Sequence, residues 1–246
     1  MFEAAFHSSL AQARFRDTIA PAPSRAVVFT LGGLASLALI TYGLVYVFAI
    51  PAVTPAMLMS GSFESLKVGR VAMGLQIWAV AVYAFSSLPL NVLFSIRQYR
   101  VSPAAIVLAA CASCLGLIMQ IMNSVPSLAV WLYPGQIIAP SPDMAPYLRQ
   151  SNWIHFASLD VAAFSLLFIA GLIYAGVYWR TRRLLAYVLV GTVVVFLLHL
   201  PFLWIAPRVA VILMGLSVCV PAIAPLIYAQ MTVEEPQQTA VYAKAA

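Results

Sequence analysis

Two residues, Asp160 and His199, are the hardest in this chain to reconcile with their surroundings. Asp160 stands in NWIHFASLDVAAFSLLF, residues 152–168, and the nineteen residues that follow it, Val161 to Trp179, carry no charge. An ionised carboxylate facing the inside of a lipid-embedded bundle costs several kcal/mol unless it is paired. Asp160 therefore either meets headgroups, or Arg149 or Arg208, at the interface, or points inward as a neutral acid or hydrogen-bonded to His199, Gln76 or Gln120. His199 follows fifteen uncharged residues, Leu184 to Leu198, and Pro201 opens the backbone just beyond it. Its imidazole can bond a neighbouring helix or a carbonyl freed by the proline, or act in a proton relay or a ligand site.

Counting residues from the centres of the two basic turns, RQYR (97–100) and RTRR (180–183), sets a common depth scale. Gln76, Gln120 and Asp160 each lie about 22 residues from a turn centre and His199 about 18, so at 1.5 Å per residue His199 sits about a turn deeper. With Asn123, these residues form an outward-side polar layer and a candidate ligand-binding or proton-relay pocket.

Other chemistries find less support. A haem held by His155 and His199 needs both rings on one iron, yet the count separates them by about 13 Å; no cofactor is expected, and haem is the alternative considered. CASC, Cys111 to Cys114, places two sulfurs on one helix face at mid-bilayer, with no cysteine in either outer loop to exchange with, so small packing residues are expected there. Three cysteines and one histidine do not make a zinc site when His199 is at another depth, so no metal is expected. Lys67 and Lys244, the only lysines, fall outside the apolar runs and cannot hold a retinal-type Schiff base. No Walker loop, H-E-x-x-H or G-x-S-x-G is present, and a non-enzymatic role is favoured.

The elements that position these residues follow from composition. The chain is 63% hydrophobic and only 8% charged, against about a quarter charged in soluble domains. A net charge of +6 and pI near 9.4 come from arginines set between apolar runs, which reads as membrane topology and lipid anchoring rather than nucleic-acid binding. Six segments are long enough to cross about 30 Å of hydrocarbon: Ala26 to Ile50, Val71 to Ile96, Pro103 to Ser124, Trp153 to Trp179, Leu184 to Ala206 and Val209 to Gln230. None alternates polar and apolar residues as a barrel strand does. The expected fold is all-α, a polytopic six-helix transmembrane bundle over 26–230. Nine of the 13 basic residues collect on one side, which makes that side, and both termini, cytoplasmic.

Residues 1–25 form a cytoplasmic segment with Phe2, Phe6 and Leu10 at helical spacing, suggesting a short interfacial helix; with no cleavage pattern, the first span is expected to stay uncleaved. Residues 231–246 read as a flexible cytoplasmic tail. The longest loops, Pro51 to Arg70 and Val125 to Asn152, face outside, and the second, proline-rich with Trp131, Tyr133 and Tyr147, is expected to lie on the bilayer. Pro221 and Pro225, in CVPAIAPLIY, are expected to bend the sixth helix.

This pattern leaves three function classes. The first is a protein that binds or translocates a small solute through the outward pocket. The second is an accessory or assembly subunit docked on other membrane subunits or on copies of itself. The third is a membrane enzyme acting on lipid or quinone. In every case the lipid bilayer is a partner and nucleic acid is not; the expected location is a bacterial cytoplasmic membrane.

Overall fold

The computed structural model describes residues 24–49, 70–132 and 145–234, with side chains for 24–49, 74–125, 159 and 161–234. The helices are α1 (Arg25–Phe48), α2 (Arg70–Gln98), α3 (Pro103–Leu132), α4 (Ala145–Tyr178), α5 (Arg183–Ile205), α6 (Pro207–Cys219) and α7 (Ala224–Val233), the last two joined by a 3-10 turn at Val220–Ile223. Among the described residues six stretches are long and apolar enough to cross a membrane, with α6, the turn and α7 together making the sixth. The chain is thus built as an all-helical integral membrane protein. The proposed interfacial helix before Ser24 and the tail after Glu234 lie outside the described residues.

Short connections follow from local chemistry. Pro103 opens α3 at the first helical position, where a missing N–H costs nothing, and the Val101 N–H donates to Gln98 O at 3.0 Å to close the preceding turn. At the other tight turn, Thr181 and Arg182 both donate to Tyr178 O. Only Ala206 separates α5 from α6; it is extended, at φ −148° and ψ 78°, because a residue before proline is driven out of the α region. Next to it, Arg208 Nη2 donates to Val47 O at 2.6 Å, placing a cation on the carbonyl-rich end of α1.

The crossings form a ring in chain order. Each of α1 to α5 packs on its successor, α5 packs on α6, and α6 and α7 close the ring against α1. Glycines set the closest approaches: a Cβ on Gly43 would stand 2.6 Å from Gly215 O, and one on Gly116 would stand 2.8 Å from Ala163 O. Those two contacts lock α1 to α6 and α3 to α4 through backbone-level packing. Near the basic turns the interior is solid, with Phe94, Ile106, Ala170, Tyr174, Leu185 and Met231 in one buried cluster drawn from five helices.

The largest departures from the expected boundaries are at three helix ends. Helix α3 continues to Leu132 and α4 starts at Ala145, so much of the expected surface loop over 125–152 is helical backbone. The last helix runs to Val233, and Met231 and Thr232 are buried, which extends the bundle past Gln230. The bend expected in the sixth crossing is the 3-10 turn at Val220–Ile223, and it begins at the backbone N–H that Pro221 lacks.

Candidate functional site

Within the ring lies a cavity of about 120 Å³ to which all six crossings contribute side chains. Its walls are mainly apolar and aromatic, including Leu117, Phe164, Phe168 and Phe196, with Pro221 and Pro225 of the bent sixth crossing on one side. The floor, toward the basic turns, is aromatic. Tyr174 and Tyr228 line the cavity and pack on Phe94, with ring centroids 5.3 and 4.6 Å from it and 5.7 Å from each other.

Beneath and beside that floor runs a polar network. The Tyr174 hydroxyl donates to Asn91 Oδ1 at 3.1 Å and lies 3.2 Å from Ser95 Oγ. Asn91 Nδ2 reaches Cys114 Sγ at 3.3 Å. One turn further, the Tyr178 hydroxyl donates to Gln98 Oε1 at 3.2 Å and Gln98 Nε2 donates to Met231 O at 2.9 Å. A separate surface group lies at the same end of the bundle, where Arg182 pairs with Glu234 and Gln230 Nε2 donates to Glu234 Oε1 at 2.7 Å. The Gln230 amide, followed by the Arg182 guanidinium, holds the Glu234 carboxyl below its usual range.

This network was not singled out from the sequence. Its signal was present: Ser87, Asn91, Ser95 and Gln98 recur at four-, four- and three-residue steps along α2, and Tyr174 and Tyr178 are four apart on α4. Such spacings put each set on one helix face. Of the two CASC sulfurs, Cys114 is drawn into the network while Cys111 is exposed.

Of the five residues nominated from the sequence, Gln76, Gln120, Asn123 and His199 are not among the residues that line the cavity, and the side chain of Asp160 is outside the described residues. Three stand one turn beyond its lining, away from the floor. Gln120 follows Leu117 by three residues, His199 follows Phe196 by three, and Asp160 precedes Phe164 by four, spacings that keep each pair on one helix face. Measured from the helix ends at the tight turns, Gln120, Asp160 and His199 lie about 17, 18 and 16 residues out and Gln76 about 22. Gln76 is therefore about a turn further out than the level shared by the other three, and it is half-buried. The difference arises because α2 ends at Gln98, inside the RQYR motif used as origin.

Burial separates these residues further. Gln120 is 1% exposed, and neither its carbonyl oxygen nor its amide nitrogen has a hydrogen-bond partner among the described residues. The Gly116–Ala163 contact sets the register of α3 against α4, so moving one turn outward brings Gln120 level with the backbone of Leu159 and Asp160. The side chains of Asp160 and His155 lie outside the described residues. Asn123, one turn beyond Gln120, is buried on α3. His199 is buried, and its Nδ1 bonds Phe196 O of its own helix. Pro201 leaves Leu197 O, not Phe196 O, without its helical donor, so this is not the freed carbonyl. A carbonyl only accepts, so in this contact Nδ1 is the donor.

The chain matches no protein-family model, no curated protein and no solved structure.

Proposed function

We propose that this protein binds, and carries between the two sides of the membrane, a small molecule held inside the helix ring. The observation that carries the reading is the cavity at the centre of the six crossings. An interior that only had to be stable would close to crystal-like density, whereas this one keeps about 120 Å³ open above an aromatic floor. Proline-bent α6 and α7 form part of its wall, and a break in a crossing beside a binding site is the arrangement expected of a carrier that moves in halves. With the basic turns toward the cytoplasm, the tier of Gln120, Asp160 and His199 lies on the outward approach to the cavity.

Native mass spectrometry of the protein in lipid nanodiscs tests this. A small-molecule adduct in one-to-one ratio is expected, and Leu117→Trp, which fills the cavity, removes it while thermal stability is kept. A second reading, an accessory subunit, draws on the outward apolar face of α5, where Leu197, Leu198, Trp204 and Ile205 are exposed. A stoichiometric second polypeptide, with no small-molecule adduct on the wild type, would favour that reading and overturn the first.

A further inference from the structure

The polar atoms of the cavity wall are not equally engaged, and the difference selects a ligand. Ser113, Thr192 and Ser217 each donate their hydroxyl proton back to their own helix, to Ala109 O at 2.8 Å, Val188 O at 2.8 Å and Met214 O at 2.7 Å. Tyr174 donates to Asn91. Two α2 side chains, four residues apart on one face, keep a donor in reserve. Among the described residues Ser87 Oγ is buried and makes no hydrogen bond of full geometry, its one polar neighbour being the Tyr83 phenol, a contact that a better acceptor in the cavity would displace. Asn91 is 6% exposed; its amide nitrogen carries two protons and uses one on the weak acceptor Cys114 Sγ.

Among the described residues the lining contains no aspartate, glutamate, lysine, arginine or histidine. A charged ligand would there lose its hydration with no counter-charge to replace it. The volume is slightly under that of an engineered protein cavity of about 150 Å³ that holds benzene, so the fit is to a single ring.

We infer that the cavity is a site for an uncharged, ring-sized group bearing a hydrogen-bond acceptor such as a carbonyl, which takes the spare protons of Ser87 and Asn91 while its ring lies among Phe164, Phe168 and Phe196. This rests on the reading of the cavity as a ligand site. A free cyclic ketone and a carbonyl ring carried on a lipid tail present the same chemistry.

Three probes of one shape separate the terms: cyclohexanone, methylenecyclohexane, which replaces the carbonyl oxygen by carbon, and cyclohexylammonium. Binding to the protein in nanodiscs, read against empty nanodiscs to remove partitioning, is expected to be about fivefold tighter for cyclohexanone than for methylenecyclohexane, the worth of about one hydrogen bond. Cyclohexylammonium is expected not to bind. Ser87→Ala should bring the two neutral probes closer in affinity and leave methylenecyclohexane unchanged. Equal affinity of the neutral probes on the wild type, or binding of the ammonium, overturns the acceptor claim and leaves the cavity reading standing. Binding of neither neutral probe overturns both. Solvent extraction of the purified protein identifies the source, a ring with a chain attached or a free one, and an extract holding only charged compounds counts against the proposal.

Discussion

The two halves of the bundle treat buried polar groups in opposite ways. Toward the basic turns, Asn91, Gln98, Tyr174 and Tyr178 come from two crossings and use one another, together with Ser95 and the Met231 carbonyl, as partners. On the other side of the cavity, Gln120 is as deeply buried but its amide has no partner among the described residues, and His199 turns back to its own helix. The first arrangement is how polar side chains join helices where water is absent. The second leaves hydrogen-bonding capacity unused beside the cavity, at a cost in stability that a static joint would avoid and that the proposed ligand path gives a reason for.

The sharpest way to break this comparison is to remove one polar group from each half and compare the signs. Tyr174→Phe keeps the ring on Phe94 and Tyr228 but strips the partner from the buried Asn91 carbonyl. It should lower unfolding stability in mixed micelles by about 2 kcal/mol, the order of cost for an orphaned buried group. Gln120→Leu should move the midpoint the other way, raising stability by about 1 kcal/mol, because an unsatisfied amide is replaced by an apolar side chain of similar size. A loss on Gln120→Leu as large as that on Tyr174→Phe would mean that Gln120 is bonded in the native bundle, with Asp160 the acid at its level, and the contrast between the halves would collapse.

How far this contrast was legible in the sequence depends on which coordinate carries it. Crossing number is one-dimensional, set by the length of apolar runs such as Val161 to Trp179 and by punctuation such as Pro103, and it could be read directly, whereas helix ends were missed by up to eight residues where α3 and α4 run on past the apolar runs. Depth was readable to about a turn: Gln120 and Asp160 do share a level, while Gln76 was misplaced because the count began at the charges rather than at the end of the helix. Azimuth was not readable by counting depth. Asn91 and Gln98 stand near the end of a crossing, where polar residues commonly meet headgroups, and only the packing of α2, α4 and α7 turns them inward onto Tyr174, Tyr178 and Met231. The cavity is less legible still, since it is the space left by a ring of helices with Gly43 and Gly116 at their closest contacts.

The smallest expected effect concerns the surface ion pair at the same end of the bundle as the inner network. Glu234 lies past the last crossing, and its carboxyl is held below the usual range by Gln230 and Arg182. A depressed folded-state pKa means that the unfolded chain takes up the proton first as pH falls. The stabilisation is therefore complete above the ordinary glutamate value near 4.5 and disappears as pH drops through the lower folded-state value. Glu234→Gln should thus cost a small, salt-sensitive amount at pH 7, below about 1 kcal/mol for an exposed pair, and the gap to wild type should shrink only under pH 4.5. If the gap instead persisted undiminished into strong acid, the attachment of α7 to the tight turn after α4 would owe nothing to charge. Gln98 on the Met231 carbonyl and Tyr178 on Gln98 would then hold that end alone, and the inner half would be neutral hydrogen bonding throughout.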